Sequence, residues 1–330
     1  MPVFTGRDVT VGFALETVRG VAEADSVYTY PHLDISFRDT PSSIRNESAK
    51  SSIIKNNAKN TILIEGDGSV NGKIYAKGIY YFLAQIFGQL PSTADVVGDT
   101  AAKKHSFSLM ESNEHLSSTV FFEDPNLGKV KFPGAMPDSF TITWTPEDYT
   151  KIEFPMKSAK SATSTHTVAY ITESEFLPDH ASLKIAADLA SLTAAAALED
   201  IKSFSLTFTK TLSPQQTMSS GKTYQAIYNT DFEVSGSIEK LYKDTTYRGY
   251  DLNDTIRAMR FALIDTVNKA GTTTPTSLTF DIASAVFEGQ EPSYGLSDIS
   301  TEKINFEMIR HEADPTKSIT GELVNKFTYA

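Results

Sequence analysis

The sequence predicts a mainly β protein, all-β to α+β in class. It is built from two tandem copies of one β-sandwich or small-barrel unit, each with one flanking α-helix and a long loop. Three observations predict this. Segments recur in the same order in the two halves of the 330-residue chain. Most apolar residues alternate with polar ones at period two, the mark of a half-buried strand. One stretch per half carries apolar residues at helical spacing.

The repeat is clearest where Ile64-Glu65-Gly66-Asp67-Gly68-Ser69-Val70-Asn71 matches Phe232-Glu233-Val234-Ser235-Gly236-Ser237-Ile238-Glu239. Both run on to a Lys-aliphatic-Tyr triplet, Lys73-Ile74-Tyr75 and Lys240-Leu241-Tyr242. Upstream, Leu33 to Arg38 resembles Phe204 to Thr209; downstream, Asp138 to Trp144 more loosely resembles Thr301 to Phe306. The offset drifts from about 171 to about 164 residues, as loop insertions in a duplicated fold would make it. The polar run SATSTHT and Pro178 put the junction within 163–182, so the copies are expected over 1–165 and 166–330.

The strands follow from alternation. Asp231, Glu233, Ser235, Ser237 and Glu239 form a polar face against Phe232, Val234, Gly236 and Ile238, and Glu65, Asp67, Ser69 and Asn71 repeat that face in the first copy. HSFSLMES, STVFFED, SFTITWT, SLTFDIA and KINFEMI are further strands, rich in Phe, Thr and Ile. The helix of the first copy is expected over 77–88, with Ile79, Phe82, Leu83, Ile86 and Phe87 on its buried side. Its counterpart is expected at 252–265, capped by Asn253 or Asp254, with Ile256, Met259 and Leu263 inward. The Ala-rich stretch 186–197 has helical propensity, but its partner, Ala14 to Ala24, holds Gly20 and two valines, which argues against a helix. Residues 40–60 fit neither element and read as a long loop, basic in an acidic chain through Arg45, Lys50, Lys55 and Lys59, that is either a solvated floppy segment or an arm reaching an acidic surface on a neighbouring copy. Its counterpart at 211–225 is equally polar.

Composition narrows the function classes. There is no cysteine, so disulfides, zinc ribbons, iron–sulfur clusters and cysteine nucleophiles are excluded. The formal net charge of −11 opposes tight nucleic-acid binding, though repulsion is useful where nucleic acid must slide past. The N-terminus lacks the pattern of a secretory signal, and the longest apolar run, Gly78 to Gly88, is too short for a membrane helix, so no membrane partner is expected.

No catalytic constellation emerges, and the chain is not expected to be an enzyme or to hold a cofactor or metal. The six histidines, His32, His105, His115, His166, His180 and His311, form no ligand spacing. There is neither a nucleophile elbow nor a phosphate loop, and the glycines of GDGSVNG (66–72) alternate along a strand, where they let another backbone approach. Glu123-Asp124, Glu147-Asp148 and Glu199-Asp200 read as surface acids; a glycosidase would need two carboxylates across one sugar. Trp144 and the tyrosines sit in strand-like contexts and read as packing residues.

Three segments resemble the tail tube proteins of long-tailed bacteriophages with non-contractile tails. They are Gly6-Arg7-Asp8-Val9-Thr10-Val11-Gly12 leading to Glu16-Thr17-Val18-Arg19-Gly20, the run Ile64 to Gly88, and Ala187-Asp188-Leu189-Ala190 followed by Ile201 to Leu206. The resemblance implies packed β-sheets with a flanking helix and a long loop, six units closing into a ring with a continuous inner β-barrel, and stacked rings that conduct DNA during ejection. It implies a virion tail protein assembled in the host cytoplasm, with tape measure, terminator and tail tip proteins as partners and DNA passing without specific binding. The duplication points to trimers of pseudo-sixfold symmetry, with a hexamer as the alternative, and no third, immunoglobulin-like domain is expected. Under this reading Glu65, Asp67, Ser69, Asn71, Asp231, Glu233, Ser235, Ser237 and Glu239 are candidates to line the lumen, with an outer solvated face as the competing reading, and Arg45, Lys50, Lys55 and Lys59 contact the next ring or a neighbouring subunit. Alternatives are another virion or injection-tube component of the same fold, or a carbohydrate-binding β-sandwich module.

Overall fold

The computed structural model describes residues 4–48, 51, 53–296 and 298–329. In chain order the elements are β1 (Thr10–Leu15), β2 (Tyr28–Tyr30), β3 (His32–Asn46), β4 (Ala58–Lys73), α1 (Ile79–Phe87), β5 (Ser92–Val96), β6 (Asp99–Ser108), β7 (Ser118–Asp124), β8 (Gly128–Pro137), β9 (Ser139–Thr145), β10 (Asp148–Ser158) and β11 (Ala162–Thr163). They continue with β12 (Ala181–Ala186), β13 (Ile201–Gln215), β14 (Ala226–Leu241), α2 (Thr246–Leu252), β15 (Arg257–Lys269), β16 (Pro275–Ser293), β17 (Thr301–Met308) and β18 (Ile319–Asn325).

One antiparallel sheet runs through the molecule in the order β3–β4–β10–β9–β13–β14–β17–β16, the last strand contributing its C-terminal half. Two smaller layers pack behind it: β2–β1–β7–β8–β11, and β12–β15–β16–β18–β6–β5. Two strand paths pass from a small layer into the long sheet. β8 pairs with β7 and continues past a bend at Asp138 as β9, which pairs with β10; β16 pairs with β15 and then, beyond Ala285, with β17. Between the layers Phe82, Phe87, Phe107, Phe140, Phe154, Phe204 and Phe208 are fully buried. Each such side chain removed from water contributes about 2–3 kcal/mol, so this layer of rings holds the sheets together.

Helix α1 is buried on every side. Its free N-terminal N–H groups are met by the Glu173 carboxylate, which accepts from Lys77 N (2.6 Å) and Gly78 N (3.2 Å) and from the Tyr28 hydroxyl. Its end is set by Gly88 at φ +83°, whose N–H bonds back to Ala84 O. A Cβ there would lie 2.4 Å from the His115 ring, so glycine is required twice over.

The structure corrects several expectations. Residues 252–265 are not a helix: α2 ends at Leu252, and the MRFALI run lies in β15, paired on both edges with β12 and β16. A strand buried on both faces is continuously apolar, and such a run imitates helical spacing. Met259 and Leu263 are buried as expected, but Ile256 is exposed and Asp254 is no cap. Residues 40–60 are not a structureless loop. The described residues of this stretch belong to the distal part of the β3–β4 hairpin, paired out to Asn46 and Ala58, and 211–225 is the matching end of β13–β14. Both were hidden because their outer halves bury neither face, so no alternation marks them. By sheet position Thr301–Met308 matches β10 rather than Asp138 to Trp144: β17 flanks β14 as β10 flanks β4.

Candidate assembly interface

The long sheet has one polar and one apolar face. Register puts Asp34, Ser36, Arg38 and Thr40 of β3 beside Asn71, Ser69, Asp67 and Glu65 of β4, and Thr141 and Thr143 of β9 beside Thr207 and Ser205 of β13. Ser203, Ser205, Thr207, Thr209 and Thr211 then lie beside Glu239, Ser237, Ser235, Glu233 and Asp231 of β14. All nine sequence-predicted face residues therefore share one surface. The opposite face carries Val70, Phe154, Ile142, Leu206, Val234, Ile238 and Phe306, all buried.

Sequence reading missed much of this surface. Glu153, Glu288, Glu291 and Glu307 join its acids, and Arg38, Lys151, Lys157 and Lys303 stand among them. Those on β10 and β16 escaped because neither strand was aligned with a repeated one, and those on β17 because KINFEMI, though read as a strand, was set beside Asp138 to Trp144.

Two glycines set the spacing of this sheet. A Cβ on Gly68 would lie 1.8 Å from Ser36 O, and one on Gly236 would lie 2.1 Å from Ser205 O. The two positions hold the same place in their hairpins, since Gly68 faces Phe37 and Gly236 faces Leu206. Both hairpins also carry the same register shift, between His32 and Asp34 and between Ile201 and Ser203.

The two halves meet through β9 and β13, with Thr143 opposite Ser205 and Thr141 opposite Thr207, whose hydroxyls are 3.2 Å apart. The tip of the β13–β14 hairpin reaches back over the first half. Ile64 N donates to Lys222 O (2.8 Å), Gln216 Nε2 to Ile62 O (2.9 Å), Lys160 N to Thr223 Oγ1 (2.9 Å), and the Tyr224 hydroxyl to Glu65. Burial and that carboxylate hold the Tyr224 hydroxyl well above the usual phenol range.

At the outer ends the sheet is open. Among the described residues β3 pairs only with β4, and residues 286–293 of β16 pair only with β17. Arg45 lies on β3 opposite Lys59 on β4, and Lys55 near the hairpin tip forms an exposed ion pair with Glu47 (3.4 Å). Lys50, the remaining basic candidate, lies outside the described residues. The three cations described are exposed and crowd one end of the hairpin.

Among the described residues no group of three or more His, Asp or Glu could hold a metal ion, and no helix is long and apolar enough to cross a membrane. His105, His115 and His166 are buried, and burial holds each below the usual imidazole range.

The family model described as phage tail tube protein matches residues 6–308. Among solved structures, one described as the crystal structure of Hcp protein is similar at 10% identity and a TM-score of 0.22, over 43% of this chain and 96% of that one. No curated protein matches the chain.

Proposed function

The chain belongs to the phage tail tube protein family and is a structural subunit of a tail tube; from that premise we propose that it is a tandem duplication, 1–165 and 166–330, and that three copies close into a pseudo-sixfold ring. The observation that carries this is the pair of open edges at the ends of one continuous sheet, with β9–β13 joining the two halves in between. An open edge is a template for another strand, and ring closure removes it. Matching elements support the duplication. β3–β4–β10–β9 and β13–β14–β17–β16 follow the same order, with β1–β7 and β12–β15 in the small layers.

Stacked rings then conduct DNA, with the polar face as the lumen wall. Eight strands from each of three chains, about 4.8 Å apart and tilted by about 40°, make a wall on the order of 45 Å across at the backbone. That leaves an open channel, whereas an eight-stranded barrel is filled by its own side chains. Glu65, Asp67, Ser69, Asn71, Asp231, Glu233, Ser235, Ser237 and Glu239 line it, and the excess of carboxylates keeps phosphates from settling. The basic hairpin end, with Arg45, Lys55 and Lys59, reaches a neighbouring subunit or ring. The docking of the second hairpin on Ile62 and Ile64 within the chain supports that role. The protein works in the virion tail after assembly in the host cytoplasm, with tape measure, terminator and tail tip proteins as partners and no catalytic activity.

Electron microscopy of the purified protein, dispersed, concentrated and seeded with tail tips, tests this reading. Rings or tubes of threefold symmetry are expected. Rings of six chains would overturn the trimer, and a protein that stays monomeric in all three conditions and binds glycans would overturn the tube.

A further inference from the structure

The joint inside the chain is a template for the joint between chains. Residues are matched through their sheet partners. Gly68 faces Phe37 and Gly236 faces Leu206, and the shared register shift agrees, so β3 matches β13 at a spacing of 169 residues. Asn71 faces Glu153 and Glu239 faces Lys303, so β10 matches β17; Glu153 faces Thr141 and Lys303 faces Glu291, so β9 matches residues 289–294, both at a spacing of 150. Even the one-residue irregularity recurs, between Pro137 and Thr141 and between Glu288 and Glu291.

Carrying the β9–β13 register onto the open edges puts Ser293 opposite Ser36, Pro292 opposite Phe37, Glu291 opposite Arg38 and Gln290 opposite Asp39 of the next chain. Charge agrees with this register. Arg38 and Glu291 are exposed, neither forms an ion pair within the chain among the described residues, and they replace the Thr207–Thr141 hydroxyl pair. An exposed pair adds little strength but discriminates against slipped registers.

The copy departs from the template in one respect. Lys210 N donates to Asp138 O (2.7 Å), so residues 204, 206 and 208 turn their peptide groups toward β9, and 140, 142 and 144 turn theirs toward β13. At the matching places the open edges carry Pro41 for Lys210 and Pro292 for Ile142. Each proline removes an N–H that the internal joint uses.

We propose, resting on the tail tube reading, that a second copy of this chain adds residues 288–294 to β3 in this register, and that Pro41 and Pro292 make the joint between chains a weakened version of the joint within the chain. The prolines keep the two edges from pairing indiscriminately, so that closure needs the cooperation of a ring.

The chain's lack of cysteine makes disulfide mapping direct. Ser36 and Ser293 fall at a non-hydrogen-bonded pair, whose short Cα separation suits a disulfide. Ser36→Cys/Ser293→Cys is expected to give covalently closed trimers on oxidation of assembled protein, and the slipped pair Ser36→Cys/Glu291→Cys is not. Thr143→Cys/Ser205→Cys, the same pair within the chain, reports that the fold and the chemistry are intact. Rings that form but link only through the slipped pair, or not at all, overturn the register and leave the tube reading standing; a wild-type protein that forms no rings even when seeded with tail tips, and binds glycans, overturns both. In a separate arm, Pro41→Thr and Pro292→Ile are expected to lower the half-assembly concentration roughly fivefold for each donor restored. An unchanged or raised concentration, with the disulfide result intact, overturns the weakening role of the prolines.

Discussion

Several buried polar side chains are held by neutral groups alone. Glu16, 3% exposed, accepts from Gly20 N (2.7 Å), Gly134 N (2.7 Å), Ser117 Oγ (2.5 Å) and Thr119 Oγ1 (2.9 Å), which ties the first strand's exit to β7 and β8. Glu16→Ala strands the Gly134 N–H and leaves Gly20 N only its longer bond to Ser117 Oγ (3.2 Å), and a loss of about 3 kcal/mol in urea-unfolding free energy is expected. His115 is a pH-sensitive counterpart. Its Nε2 lies 2.9 Å from Met110 O, its Nδ1 has no partner, and burial, helped by the charge of Lys210, pushes its pKa down to about 4. The unfolded chain takes up this proton near pH 6.5, whereas the folded chain resists it. Stability from this group is therefore full above about pH 6.5 and is lost as pH falls toward 4, by an amount on the order of 3 kcal/mol. Urea midpoints measured between pH 7 and pH 4 should decline in the wild type, and His115→Leu should flatten the slope. An equal slope in both proteins would assign the pH response elsewhere.

Strand spacing is the constraint at the next level. Gly68 and Gly236 admit no side chain, because the neighbouring backbone occupies that space. Gly236→Val should cost about 3 kcal/mol or prevent folding, and Gly68→Val, next to the open edge, should cost less, since β3 can shift outward. The comparison is made by chemical denaturation of the two variants. The same alternation of apolar and polar residues made β4, β7, β9 and β14 legible from sequence, and the spacing of Ile79, Phe82, Leu83, Ile86 and Phe87 gave α1. The signal failed where burial did not alternate: β15 is covered on both faces, and the ends of the two hairpins on neither. The proposed repeat shows in the sequence as Glu-x-x-Gly-Ser in both halves, but the offset between like-placed strands does not drift steadily. Strands at like places lie 169 (β3 and β13) and 168 (β4 and β14) residues apart before the helices and 150 apart after them, because β5–β6 occupies the span after α1 while only four residues separate α2 from β15. Sequence comparison smoothed over that step by pairing Asp138 to Trp144 with the wrong strand.

For the whole molecule, the proposed role of the polar face as the lumen wall makes a direct prediction. Asp67→Lys, Asp231→Lys, Glu233→Lys and Glu239→Lys combined should leave the fold intact, since these side chains are at least partly solvent-facing. They should make tubes retain DNA with an affinity that falls steeply with salt, whereas wild-type tubes do not bind. A quadruple variant that still releases DNA freely, measured by filter binding across a salt series, would move the channel to another face. The nine face residues were legible because they alternate; their charged neighbours on β10, β16 and β17 became visible only through pairing. The β5–β6 hairpin, present in one half and clamped onto β18 of the other, has a further consequence. A cylinder made of three such chains would look sixfold to anything travelling along its bore and threefold to anything gripping its outer surface, so one object could mate with parts of either symmetry.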